Sequence, residues 1–111
     1  RDFDGRIANT FCDPQNPGLI EVFVVQFNGD GIPGEMVRVR WEDNNSLFVT
    51  GLKLERGESY ADFQMEDGKG YTIDMPTLSD PLGTPLVAEE CFTESGEESI
   101  KSYRVVFRQV E

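Results

Sequence analysis

Carboxylates dominate the side chains that could carry out chemistry in this sequence. The 111 residues include 21 acidic and 10 basic side chains and no histidine. Without histidine there is no imidazole acid–base catalysis, no Ser–His or Cys–His nucleophile pair and no histidine metal ligand. Two carboxylates could in principle act as a glycosidase pair, but acidic residues are spread so widely that no pair stands out. We therefore predict that the protein is not an enzyme.

One loop brings several oxygen ligands close together in sequence. Asn28, Asp30 and Glu35 flank a glycine-rich stretch, and Ca²⁺ prefers carboxylate and amide oxygens. The alternating ligand series of a calcium loop stops, however, at Ile32 and Pro33. A plain turn, in which Asn, Asp and Gly tolerate left-handed backbone, explains the same residues. Calcium at this loop is an alternative hypothesis, and otherwise we expect no metal and no cofactor.

The two cysteines, Cys12 and Cys91, lie near opposite ends of the sequence. An even count in a small domain predicts a disulfide between them, and two free buried thiols are the alternative. The bridge would tie the N-terminal segment to a late strand at 86–92. Disulfides persist in oxidising compartments, so the extracellular or cell-surface location that we expect for this protein favours the bridge over free thiols. The sequence also begins with Arg1 rather than Met, which we interpret as a mature N-terminus or a domain of a longer exported chain.

The charge balance excludes two classes of partner. A net charge of −11 repels phosphate backbones, which are bound by clustered Lys and Arg. Anionic membrane surfaces are disfavoured for the same reason, and no apolar run approaches the roughly 20 residues of a membrane span. We expect neither nucleic-acid binding nor membrane insertion.

Apolar residues recur with a period of two rather than 3.6, which predicts strands. The segment 36–42 alternates strictly, and 19–27 is apolar on both faces, as is typical of a central strand. Gly, Pro, Asn and Asp clusters separate about seven to eight such segments. They predict an all-β fold, a single antiparallel β-sandwich domain over 1–111. The expected core residues are Val22, Val24, Val37, Val39, Trp41, Phe63, Ile73, Val105 and Phe107.

Aromatic side chains could also stack on a sugar. Trp41 shares its face with Val37, so we assign it to the core. Tyr60 shares its face with Asp62 and Gln64, which predicts an exposed ring on the outer surface. Tyr60 is therefore the candidate binding aromatic of a carbohydrate-binding module.

The segment 19–75 carries a series of motifs that resembles a known family. It contains G-x-P-G at 31–34, V-x-V-x-W at 37–41, GLKLERG at 51–57 and SYADF at 59–63. Their order resembles the carboxypeptidase-regulatory or transthyretin-like group of Ig-like modules, in particular those of large exported bacterial proteins. The resemblance implies an Ig-like or transthyretin-like sandwich that acts as a spacer, stabiliser or binding attachment, a choice that the fold alone does not make.

These observations favour a non-catalytic structural or protein-interaction module of an exported or cell-surface protein. Its partners would be other protein domains or copies of itself, because an edge strand can add a partner strand through backbone hydrogen bonds. Self-assembly through edge strands belongs to this hypothesis. A carbohydrate-binding module is the alternative function.

Overall fold

The computed structural model describes residues 2–111, and Arg1, on which the interpretation of the N-terminus depends, lies outside them. The described chain is all-β, with one 3₁₀ turn at Leu54–Arg56. None of its segments forms a helix with the length and apolar character that crossing a membrane requires. The ten strands are β1 (Phe3–Phe11), β2 (Leu19–Val25), β3 (Met36–Trp41), β4 (Asn44–Val49), β5 (Tyr60–Gln64), β6 (Gly70–Asp74), β7 (Leu86–Val87), β8 (Glu90–Phe92), β9 (Glu98–Ile100) and β10 (Ser102–Gln109).

The strands form two four-stranded sheets and one hairpin. The sheet orders are β1-β10-β2-β5 and β4-β3-β6-β7, and β8 pairs with β9. All neighbours are antiparallel except β2 and β10, which run parallel from Ile20 opposite Tyr103 to Val25 opposite Arg108. The prediction of a purely antiparallel sheet with seven to eight strands is therefore wrong on both points. The parallel pair was not predicted because the alternation within a strand does not depend on the direction of its neighbour. The strand count was too low because β7, β8 and β9 contain only two or three residues each, too few for a clear alternation.

A single core lies between the inner faces of the two four-stranded sheets. It unites buried side chains from both sheets, among them Val22, Val39 and Val105. The core prediction is confirmed in full for every predicted residue except Trp41 and Phe63, which are half-buried and pack against the cluster. Their rings lie 5.4 Å apart, at the side of the core where β5 is the last strand of its sheet.

A disulfide joins Cys12 and Cys91, as predicted, across 79 residues of sequence. Cys12 directly follows β1, and Cys91 is the middle residue of β8. The bridge therefore fastens the β8–β9 hairpin to the end of β1. The single strand predicted at 86–92 is instead two strands, β7 and β8, separated by Ala88 and Glu89.

Candidate functional site

An apolar cleft opens at the side of the molecule where β4 and β5 lie. Its volume is about 120 Å³, and its apolar lining comes from Phe48, Val49, Leu52, Tyr60 and Ala61. Because β4 and β5 are terminal strands of different sheets, the cleft lies between two sheet edges. Sites for small-molecule ligands usually enclose about 300–1,000 Å³, whereas an apolar cavity of about 150 Å³ can hold a benzene ring. The cleft therefore matches one inserted apolar side chain better than a cofactor.

Polar groups at the rim of the cleft are bound to one another. The Lys53 ammonium lies 3.0 and 2.9 Å from the two carboxylate oxygens of Asp62, and the Tyr60 hydroxyl donates to Asp62 Oδ2 at 2.8 Å. Burial raises the pKa of Tyr60, and the hydrogen bond to Asp62 raises it further. The phenol therefore stays protonated at neutral pH and serves as a fixed donor rather than as a base.

The prediction that Tyr60 is exposed is wrong, because only 1% of the residue is accessible. Tyr60 does lie on the outer face of β5, as alternation indicated, but another segment covers that face. The Arg56 guanidinium lies 4.4 Å from the centre of the Tyr60 ring, and the Phe23 ring meets it edge-on at 5.4 Å. Alternation identifies the face of a side chain but not a loop that later folds over it. Tyr60 is thus not available as a stacking platform for a sugar.

A buried carboxylate holds this covering loop in place. Glu21, in the central strand β2, is buried on the outer face. Arg56 Nη2 donates to Glu21 Oε2 at 2.7 Å, and Arg104 donates to Oε1 through Nε at 3.0 Å and Nη2 at 2.9 Å. Both Glu21 oxygens therefore accept charge-assisted hydrogen bonds, which are the stronger kind. The carboxylate anchors the 3₁₀ turn to the sheet instead of facing a ligand.

The three residues of the calcium hypothesis are only partly brought together. Asn28 Nδ2 donates to Asp30 Oδ2 at 3.1 Å, and the Asp30 backbone N–H donates to Asn28 Oδ1 at 3.0 Å. The backbone N–H of Glu35 is engaged elsewhere, donating to Thr50 Oγ1 at 3.0 Å. Over residues 2–111 no group of three His, Cys, Asp or Glu side chains could hold a metal ion. The loop is an Asx turn closed on itself, and calcium at Asn28, Asp30 and Glu35 stays a prediction.

A carboxyl pair that the sequence analysis missed lies on the β8–β9 hairpin. Glu90 faces Ile100 and Glu98 faces Phe92 in the strand register, which places the two glutamates diagonally across the hairpin. The hydrogen bond between their side chains raises the pKa of Glu90, and the negative charge of Glu98 adds to the effect. Both residues are exposed, unlike the enclosed acid of a glycosidase. The pairing depends on the hairpin register, which residue spacing alone does not reveal.

Replacing Glu90 by glutamine is expected to make stability less dependent on pH. At pH values between the ordinary and the raised pKa of Glu90, the folded protein binds more protons than the unfolded chain. The stability of the wild type therefore falls as the pH rises through that window. Glu90→Gln should melt above wild type at neutral pH and close to it near about pH 3, where Glu90 itself is uncharged. Thermal unfolding between these pH values measures the difference.

Glu94→Gln, in the turn of the same hairpin, is the matched control because it changes the net charge equally. A similar gain at neutral pH in both variants would show that the benefit comes from the overall charge of −11 and not from the Glu90–Glu98 pair.

Comparison of the sequence with known families and curated proteins identifies no relative. No protein-family model matches the chain, and no curated protein sequence matches it. The resemblance to the carboxypeptidase-regulatory or transthyretin-like group therefore stays a prediction from the motifs at 31–34, 37–41 and 51–63.

Proposed function

We propose that this chain is a non-catalytic structural or protein-interaction module, an Ig-like β-sandwich of an exported or cell-surface protein. Two four-stranded sheets with one shared core support the sandwich architecture. The Cys12–Cys91 disulfide supports the location, because such bridges persist in oxidising compartments.

The observation that carries the proposal is the open side formed by β4 and β5. Two sheet edges flank an apolar cleft of about 120 Å³ there. Leu52, at the cleft, is 76% exposed, and Leu54, two residues further along the same loop, is also exposed. A protein that recruits a strand needs free backbone groups for affinity and apolar pockets for specificity. This side of the molecule offers both.

The buried carboxylates support a non-catalytic role. Perturbed acids of active sites are usually buried and face a cleft. The buried acidic residues between positions 2 and 111 are Glu21 and Asp74. Glu21 binds two arginines, and Asp74 accepts bonds from Arg38 Nε at 3.0 Å and Nη2 at 2.7 Å. Both acids therefore hold the fold together. The carbohydrate alternative depended on an exposed Tyr60, whose burial leaves it without a supporting observation.

Site-specific photo-crosslinking in the native source tests the proposal. A photoreactive amino acid at Leu52 of the full-length protein should form crosslinks to protein, because this side chain lines the proposed interaction side. The same amino acid at Phe92, which is 60% exposed on β8, is the matched control and should form few. The absence of protein crosslinks at Leu52, or the same products from both positions, would contradict an interaction role for this side.

A further inference from the structure

The terminal strands of the two sheets differ in how well they are protected against pairing. Natural proteins protect sheet edges with charges, irregularities or short strands. In β1 the register is irregular between Ile7 and Asn9, and the strand carries charged Arg6. Asp62 and its bound Lys53 place an ion pair on β5, and β7 is two residues long. Three of the four edges therefore have a recognised protection.

The fourth edge, β4, has none of these features. Its sequence NNSLFV contains no charge and no proline, and it pairs with β3 without irregularity. Just beyond β4, the Thr50 N–H donates toward β3, to the Glu35 carbonyl at 3.0 Å. Because backbone groups alternate in direction along an antiparallel strand, those of Asn45, Leu47 and Val49 point away from β3. They form a free row of donors and acceptors.

Apolar side chains flank this row on the outer face of the same sheet. Leu47 is 54% exposed, and Met36 of β3 lies opposite Val49 and is also exposed. Val49 in turn lines the cleft together with Leu52. An apolar strip therefore continues from the edge of β4 to the cleft.

The distribution of charge favours a second copy as the occupant of this edge. The segment 35–62, which contains β4 and its surroundings, has six acidic and four basic residues, a net charge of −2. The rest of the chain carries the other −9 of the total −11. Two copies that meet at β4 therefore bring together a segment that carries little of the net charge, and salt screens the repulsion between the remaining charges.

We propose that β4 pairs antiparallel with β4 of a second copy across a two-fold axis. The two sheets that contain β4 join into one continuous sheet, and the apolar strips come to lie beside each other. The uncharged strand places no like charges opposite one another in the new ladder, and a two-fold axis presents the same patch from both copies. The inference rests on the proposed role as an interaction module and names its partner.

Sedimentation velocity of the purified, disulfide-bonded protein tests this pairing. Wild type should dimerise as its concentration rises, and more strongly at about 0.5 M than at about 0.02 M NaCl, because salt screens the repulsion between the copies. Leu47→Lys places a charge on the edge and should raise the dimer dissociation constant by about tenfold or more. Phe92→Lys, the same change at an exposed apolar position on β8, should leave it unchanged. Asn45→Lys repeats the edge test should Leu47→Lys fail to fold.

Three results would overturn the pairing. The first is a protein that stays monomeric up to about 1 mM at both salt concentrations. The second is a dimer that Leu47→Lys and Asn45→Lys leave intact. The third is a dimer that dissociates when salt is added, since an uncharged strand supplies no ion pairs that salt could weaken. A monomeric purified protein that still crosslinks through Leu52 to a different protein would reject the second copy as partner and leave the interaction role standing. A monomer without such crosslinks would reject both.

Discussion

Replacing Phe107 by alanine is expected to lower the free energy of unfolding by about 3–5 kcal/mol. The ring is fully buried in β10, which lies between β1 and β2 in its sheet. It packs over the backbone of β1, where a β-carbon added to Gly5 would lie 2.5 Å from the ring. Because Gly5 has no side chain that could move into the space and β10 is held on both sides, we expect the cavity to persist.

Urea unfolding of wild type and Phe107→Ala measures this loss. Phe27→Ala is the matched control, since Phe27 is 55% exposed and its truncation should cost less than about 0.5 kcal/mol. A loss below about 1 kcal/mol for Phe107→Ala would mean that the core collapses into the vacated space, against the packing inferred here.

Period-two alternation predicted the core well because it records which face of a strand is apolar. Val37 and Val39 alternate with arginines and are fully buried. Trp41 and Phe63 follow the same alternation but are half-buried. Phe63 lies in β5, a terminal strand, and Trp41 is the last residue of β3. How completely a face is covered depends on the strand order, which alternation does not contain.

Tyr60 illustrates the same limit at the candidate site. Its outer-face position could be predicted, but its burial follows from Arg56, which reaches Glu21 on another strand. The cleft between β4 and β5 was beyond prediction for a related reason. Its lining residues come from terminal strands of two different sheets, and no local pattern brings those strands together. The motifs at 51–57 and 59–63 indicate a family resemblance, but nothing in their sequence predicts the contact between them.

Removal of the disulfide is the second change with a large expected effect. The double variant Cys12→Ser/Cys91→Ser should lose about 2–5 kcal/mol of stability, because the bridge closes a long loop and restricts the unfolded chain. A bridge across 79 residues corresponds to about 4–5 kcal/mol in the chain-entropy model. The double variant avoids leaving one free thiol, which could form intermolecular bridges.

The disulfide also holds the β8–β9 hairpin locally. β8 and β9 pair with each other and with no other described strand, so the bridge is their covalent connection to β1. Hydrogen bonds also hold the hairpin, among them Ser99 Oγ to the Asp13 carbonyl at 2.9 Å and the Gly18 N–H to the Ile100 carbonyl at 3.0 Å. Without the bridge, amide hydrogen exchange at residues 90–100 should speed up relative to wild type, and by more than exchange in the core strands does. The reason is that local opening of the hairpin no longer works against the crosslink.

Urea unfolding measures the global loss of stability, and hydrogen exchange measures the local opening of the hairpin. A loss below about 1 kcal/mol with unchanged exchange in the hairpin would show that these hydrogen bonds suffice without the bridge, and that Cys12 and Cys91 matter for something other than stability.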